Sequence, residues 1–443
     1  MTIYALSSGP GISGIAVIRV SGIKSKYILK SITNGRFPDE RVATLKKIIN
    51  PETKELIDEG IVIWFKGPNS YTGEDMVELH THGSKAVVNE LQKILEKIEN
   101  CRTAEPGEFT KLALQNNKIN LLKAESIGDL IAAETELQRK QAIRIMSGVH
   151  SNKFNLWRDE LIKALGEIEA KIDFPEEDLP EDISKSLKLN IGKIKNEIEK
   201  TLDDDKTGEI IREGFKVAII GPPNVGKSSL LNYLSKREAA IVSEKAGTTR
   251  DVIEVHLDIA GIPIIISDTA GIRDSVDEIE SKGIKLSLVK AEDADINILL
   301  LDPKNLDFKG FLSNKITDKS IIVLNKSDIG TESIKKFLSE FNPIVMSLKN
   351  NVNIDILISA IKTSLSKQLI KSENVLITRS RHREHLKECL KNIKIFLDKK
   401  DNVEFEKAAE DLRLAIRHLG TIVGRVDVEE ILGSIFDNFC IGK

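Results

Sequence analysis

The stretch FKVAIIGPPNVGKSS, residues 215–229, constrains the fold more than any other part of this 443-residue chain. An apolar run is followed directly by Gly-x-x-x-x-Gly-Lys-Ser and then by a helix-forming sequence. That succession is a buried strand, a glycine-bearing loop and a helix N-terminus, the opening unit of a nucleotide-binding α/β domain. In such a loop successive backbone N–H groups cradle phosphates, Lys227 reaches the β- and γ-phosphates, and the Ser228 hydroxyl ligates Mg²⁺. Downstream, SDTAG closes the apolar run IPIIIS, placing Asp268 to hold the magnesium shell and Gly271 to approach the γ-phosphate. A further strand pattern ends in IIVLNKSD. There the Asp328 carboxylate accepts both the ring N–H and the exocyclic amine of guanine, a pair that adenine does not present, while Asn325 holds the base and the loop.

The rest of the chain divides by pattern. Residues 1–117 alternate β-rich runs such as GIAVIRVSG and EGIVIWFKG with turns and one helical stretch, SKAVVNELQKILEKI, and read as an α+β domain. Residues 118–213 turn helical, with Trp157, Leu161, Leu165, Ile168 and Ile172 expected on one apolar face. The α/β pattern occupies 214–371, and helical spacing returns over 372–443. The fold class expected is therefore multidomain α/β: an N-terminal α+β domain, an α-helical bundle domain, and a Ras-like P-loop α/β domain inserted into the latter.

Composition limits the partners. Lys+Arg 65 against Asp+Glu 68 gives a net charge of -3, which excludes a wholly basic nucleic-acid binder and leaves only local basic patches. The basic stretch RSRHREHLK at 379–387 reads either as a seat for RNA phosphates or as a charged helix face. Cys101, Cys389 and Cys440 have no C-x-x-C spacing and are odd in number, so a reducing, cytoplasmic setting is expected. The sequence shows no signal-peptide pattern, no myristoylation glycine at Thr2 and no apolar run of about 18 residues, so no membrane is expected. Cys440 stands fourth from the end in FCIGK, where a prenylated tail is one reading, but Gly442 and Lys443 fit the lipidation pattern poorly.

With these motifs in order, the 214–371 region resembles the translation-factor-like P-loop GTPases. The resemblance makes Thr249 of GTTRD the switch threonine that closes magnesium coordination with Ser228. Ile272 stands where Ras-like enzymes carry a water-positioning glutamine, and an isoleucine cannot orient a nucleophile. Asn224, with IVSEKAGTT behind it, resembles the potassium-dependent GTPases, in which a monovalent cation replaces an arginine finger. By that resemblance Asn224 supplies its side chain, and Ser243, Lys245 and Thr248 supply loop oxygens. From the residues alone the same loop reads equally as an ordinary switch loop. Carboxylates in GIRDSVDEIESKGIK include Asp277, Glu278 and Glu280, and spacing does not choose among them.

Taken together, GPGISGIAVIRVSG, GPNSYTGEDMVELHTHGS, CRTAEPGEFTKLALQNNKINLLKAESIGDLIAAET and the terminal FCIGK resemble the TrmE family of tRNA-modification GTPases along essentially the whole chain. The resemblance implies a folate-binding, homodimerising N-terminal domain and a GTP hydrolase working with the flavoprotein MnmG. The product it implies is a carboxymethylaminomethyl or aminomethyl group on carbon 5 of the wobble uridine of certain tRNAs. The one-carbon donor implied by the same resemblance is 5-formyl- or methylene-tetrahydrofolate. It assigns Arg19, Glu78, Lys118 and Lys443 to folate, Glu280 to catalysis, and Cys440 to the modification chemistry. Asn224, Val225, Gly226, Lys227, Ser228 and Ser229 belong to the phosphates, with Ser243, Thr248 and Thr249 in the switch loop. Asp268, Thr269, Ala270 and Gly271 follow at the γ-phosphate. Guanine falls to Asn325, Lys326 and Asp328, backed by Ser347, Leu348 and Lys349, where MSLKN departs from the usual Ser-Ala-Lys. The alternative function is a GTP-switched ribosomal RNA assembly factor, since PNVGKSSLLN and AGTTRD also occur in such relatives.

Overall fold

The computed structural model describes residues 1–173, 182–222, 224–237, 240–241, 254–267, 292–303, 316–330, 342–369, 375–399 and 405–426, together with Phe439 and Gly442. The chain forms two compact units, one of Met1–Gly128, Ile145–Ile162 and Ile416–Lys443, the other of Asp129–Arg144 and Lys163–Ala415.

The first unit carries a six-stranded sheet: β1 (Thr2–Leu6), β2 (Ser13–Ser21), β3 (Thr44–Ile49), β4 (Leu56–Phe65), β5 (Met76–Gly83) and β6 (Cys101–Thr103), in the order β3-β4-β5-β2-β1-β6. All its pairings are antiparallel except β1 with β6. Period-two alternation decides its faces. Ile18 and Val20 of β2 and Val77 and Leu79 of β5 turn inward, packed with Ile28, Leu29 and Leu91 of the helices Ser25–Ile32 and Lys85–Glu96. The alternate residues, Arg19 and Glu78, are thereby put opposite one another on the other face. In the helix Val149–Asp173 the expected apolar ladder is corrected by one step. Trp157, Leu161 and Ile168 are buried, but Ala164 takes the place expected for Leu165, because 3.6 residues per turn carries the stripe through 157, 161, 164 and 168.

The second unit holds β7 (Phe215–Ile220), β8 (Ala240–Ile241), β9 (Glu254–Ile259), β10 (Ile262–Ser267), β11 (Ile296–Leu301), β12 (Ser320–Leu324) and β13 (Ile344–Val345). Their order is β13-β12-β11-β7-β10-β9-β8, parallel except for the two pairings that β9 makes. β11, INILLL, is buried at every position, as a central parallel strand covered on both faces should be. β7 lies between β10 and β11, so the strand order reverses beside it, and the crevice at its carboxyl end is where such sheets bind ligands.

The segments leading into and out of this sheet meet. A Cβ on Gly208 would lie 2.2 Å from the carbonyl oxygen of Ile377, so only glycine allows the approach. Arg383, in the helix Ser380–Asp398, donates to Asp204 Oδ1 at 2.6 Å and through Nε to Glu209 Oε2 at 2.8 Å. Arg212 and Arg379 both donate to Asp129 Oδ1, at 2.9 and 2.7 Å. The basic stretch 379–387 is thus in part internal ion pairing. Among the described residues no helix is long and apolar enough to cross a membrane.

Candidate functional site

The loop after β7 is shaped by close approaches that exclude side chains. A Cβ on Gly221 would sit 2.2 Å from Leu300 O, and one on Gly226, whose φ is +104°, would sit 2.7 Å from Asn325 Nδ2. Asn224 also takes a left-handed conformation, φ +62°, which asparagine tolerates better than most residues. Lys227 donates from Nζ to the carbonyls of Gly221 and Pro222, each at 2.9 Å, which keeps its charge at the loop. Ser228 and Ser229 are exposed in the first turn of the helix Lys227–Arg237, where backbone N–H groups have no helical partner and anions are favoured.

Asn325 is buried at 3% exposure and spends both ends of its amide on structure. Nδ2 donates to Val225 O at 2.8 Å, and Oδ1 accepts from Leu348 N at 3.2 Å. It is a strut tying the phosphate loop to the 347–349 loop. Lys326, φ +59°, donates from Nζ to Asn224 O at 2.7 Å and pairs with Asp302 after β11. Asp302 is a buried site residue that sequence reasoning missed; its signal is an aspartate placed directly after the fully apolar INILLL.

Asp328 points outward, and Ser347 Oγ donates to its Oδ1 at 2.8 Å. That hydroxyl, then the residue's own backbone N–H and the charges of Lys349 and Lys326, hold the carboxyl below the usual carboxylate range. It stays an ionised acceptor at neutral pH, and acceptor capacity falls only as pH drops through the lowered value. Ser347→Ala should therefore weaken guanine-nucleotide binding a few-fold and shift the acid limb of the binding-versus-pH curve upward, as nucleotide titrations from pH 4 to 8 will read. Leu348 packs against the hydrophobic core of the sheet, which accounts for an apolar residue in that loop.

On the sheet of the first unit, Arg19 donates to Glu78 Oε1 through Nε at 3.1 Å and Nη2 at 2.9 Å. The guanidinium lies 5.6 Å from the Tyr71 ring centroid and 5.5 Å from that of Phe109. His80 Nε2 is 3.3 Å from Glu78 Oε2, and the Tyr71 hydroxyl is 2.8 Å from Thr110 Oγ1. The carbonyl of Gly442 accepts from Ser7 Oγ at 2.8 Å and from Arg19 Nη1 at 3.4 Å, so the end of the chain reaches this cluster. Gly442 has φ +98°, and a Cβ there would lie 2.5 Å from Leu6 O. Lys118 donates from Nζ to Pro68 O at 2.7 Å. His80, Tyr71 and Phe109 were missed from the sequence, although VELHTH places Glu78 and His80 on one strand face.

Of the residues expected at the sites, Ser243, Lys245, Thr248, Thr249, Asp268, Thr269, Ala270, Gly271, Glu280, Cys440 and Lys443 lie outside the described residues. Of the other two thiols, burial pushes Cys101 up to about 11 and Cys389 higher still, so neither is a thiolate at neutral pH.

A glycine-shaped phosphate loop at the switch point of a parallel sheet, strutted to an Asn-Lys-Ser-Asp strand end, defines a P-loop guanine-nucleotide-binding protein. Residues 121–440 match the MnmE helical domain, and residues 2–118 match the GTP-binding protein TrmE N-terminus. The chain is 60% identical over 443 residues to the tRNA modification GTPase MnmE of Pelagibacter ubique (strain HTCC1062), covering all of both chains. It is 46% identical, again over the full length of both, to the protein of that name from Rickettsia bellii (strain RML369-C). Among solved structures, the G domain of the T. maritima FeoB iron transporter overlays at 25% identity and a TM-score of 0.27, covering 35% of this chain and 98% of that one. This chain belongs to the MnmE (TrmE) family of tRNA modification GTPases.

Proposed function

We propose that the chain is a potassium-activated GTP hydrolase that, with the flavoprotein MnmG, installs a carboxymethylaminomethyl or aminomethyl group at carbon 5 of the wobble uridine of certain tRNAs, in the cytoplasm and as a homodimer through its N-terminal domain. A tetrahydrofolate derivative supplies the carbon. The observation that carries the reading is the Gly442 carbonyl at Ser7 and Arg19, which puts Gly442 beside the Arg19–Glu78 pair in the same unit. We assign folate to Arg19, Glu78, Lys118 and Lys443: its glutamate carboxylates suit the three cations, and its pterin N–H groups suit Glu78.

In the nucleotide site, Lys227 and the loop N–H groups hold the phosphates, and Ser228 with Thr249 would hold Mg²⁺. The Asn224 carbonyl is engaged by Lys326, and the Asn224 side chain, with oxygens from Ser243, Lys245 and Thr248, would hold a potassium ion. Bound cations supply charge neutralisation at the γ-phosphate. Glu280 orients the water that Ile272 cannot. We read residues 1–117, 118–213, 214–371 and 372–443 as the N-terminal domain, first helical part, G domain and second helical part. The contact of Gly208 with Ile377 supports an inserted G domain.

Mass spectrometry of wobble uridines from cells lacking the chain tests the reading, and unmodified carbon 5 is the expected result. Unchanged modification, with ribosomal subunits accumulating as precursors instead, would move the function to ribosome assembly. Glu280→Ala should lower GTP turnover about 10²-fold or more with GTP affinity kept, the loss typical of a residue that positions the reacting group.

A further inference from the structure

We propose that the first unit contains a seat for the sugar–phosphate backbone of tRNA, in the cavity of about 910 Å³ between the 114–123 segment, the helix beginning at Val149 and the 423–425 turn. The proposal rests on tRNA being the substrate; no residue assigned above to nucleotide or folate is needed for it except Lys118, which borders the cavity.

Charge makes the first argument. Among the described residues, Lys118, Lys123, Arg158 and Arg425 line the cavity and no aspartate or glutamate does. In a chain of net charge -3, four cations gathered on one concave surface, of which Arg158 alone pairs with a neighbouring carboxylate, Asp159, among the described residues, are a local excess of positive charge. Helix dipoles do not produce it. The helices Leu121–Ile131 and Val149–Asp173 begin here while Glu108–Gln115, Glu136–Met146 and Phe405–Val423 end here, so with about half a unit of charge at each end the helix termini add no net positive charge. The field belongs to the side chains.

Unsatisfied polarity makes the second. Arg158 pairs with Asp159 at 3.6 Å through Nη1, but its buried Nε has no hydrogen-bond partner among the described residues, and neither has the buried Oδ1 of Asn155 one turn earlier. A buried orphan donor and a buried orphan acceptor each cost roughly 1–3 kcal/mol until paired. Both atoms are shut off from solvent as they stand, so a ligand that pairs them must draw the two side chains into the cavity they line and offer an anionic acceptor and a donor close together, as a phosphate and the neighbouring ribose 2′-hydroxyl do. Asn117, Asn120 and Gln115 add further amides to the wall.

What is missing identifies the class more narrowly. Among the described residues no aromatic side chain lines the cavity, and so none of them offers a platform for stacking an unpaired base or a pterin ring. Contacts here are therefore to backbone, sequence-independent, and serve to position the tRNA while another part of the assembly reads the wobble base.

The test uses the full-length chain and fluorescently labelled tRNA, with anisotropy read from 50 to 200 mM KCl. Lys123→Ala/Arg425→Ala removes two exposed or half-exposed cations, and a second variant adds Arg158→Gln. The double variant should bind tRNA about tenfold more weakly and lose about 1.5 from the slope of log K against log salt, and the triple variant more of both, as removal of phosphate contacts requires. GTP turnover and binding of monoglutamyl folate should stay unchanged. Wild-type slope and affinity in both variants would overturn the seat while leaving the tRNA reading intact. Loss of affinity for poly-γ-glutamyl folate without loss for tRNA would overturn it in favour of a carboxylate tail. A wild-type chain that binds no tRNA would overturn the seat and the tRNA reading together.

Discussion

Asp328→Asn should lower GTP affinity about 10²- to 10³-fold and create affinity for xanthosine triphosphate. Two charge-assisted hydrogen bonds from the guanine N–H groups are each worth roughly 1.5–3 kcal/mol, and an amide replaces one of them with a donor facing a donor. Xanthine carries a carbonyl where guanine carries the amine, so the new N–H₂ finds an acceptor. Ser347 donates to the carboxylate at 2.8 Å and can equally donate to the amide oxygen, so the side chain keeps its orientation and the swap is local. Titration with labelled GTP and XTP measures both sides. An unchanged GTP affinity would mean that the base docks elsewhere than at Asp328.

That prediction stands on residues legible in the sequence, and it is instructive which were. FKVAII, the glycines and NKSD are local patterns, and local patterns specify a strand, a positive-φ turn and a strand end without help from the rest of the chain. The strutting was not legible. Asn325 was expected to hold base and loop, and its amide also ties to Val225, 100 residues earlier, and to Leu348. Lys326 reads as a companion to the guanine loop, yet its ammonium is tied to Asp302 and to the phosphate loop's own carbonyl. Nothing in NKSD reveals either partner, because both are set by the order of strands in the sheet. The same holds for Arg19 and Glu78. Each is a polar residue on an alternating strand, and only the β2–β5 register places them face to face.

The largest gap between pattern and structure is at Arg383, and it carries the largest expected effect on stability. RSRHREHLK reads as a solvated basic face, but the Arg383 side chain is 9% exposed, with Asp204 and Glu209 nearly as buried at 10% and 11%. Its partners lie 179 and 174 residues earlier, on the segment that leads into β7, so no local rule exposes the pairing. Removing the arginine strands two buried carboxylates, and breaking such a pair costs about 3–5 kcal/mol. Arg383→Ala should therefore lower the melting temperature of the second unit by roughly 6–15 °C, at the few degrees per kcal/mol expected for a domain of this size. Arg383→Met combined with Asp204→Asn and Glu209→Gln removes the charges together and should recover most of the loss, because the cost lies in the unpaired charges more than in the missing contacts. Calorimetry of the three proteins decides it. A triple variant as unstable as Arg383→Ala would show that the guanidinium acts by packing, and equal stability of all three would show that the clasp between the two connecting segments contributes nothing.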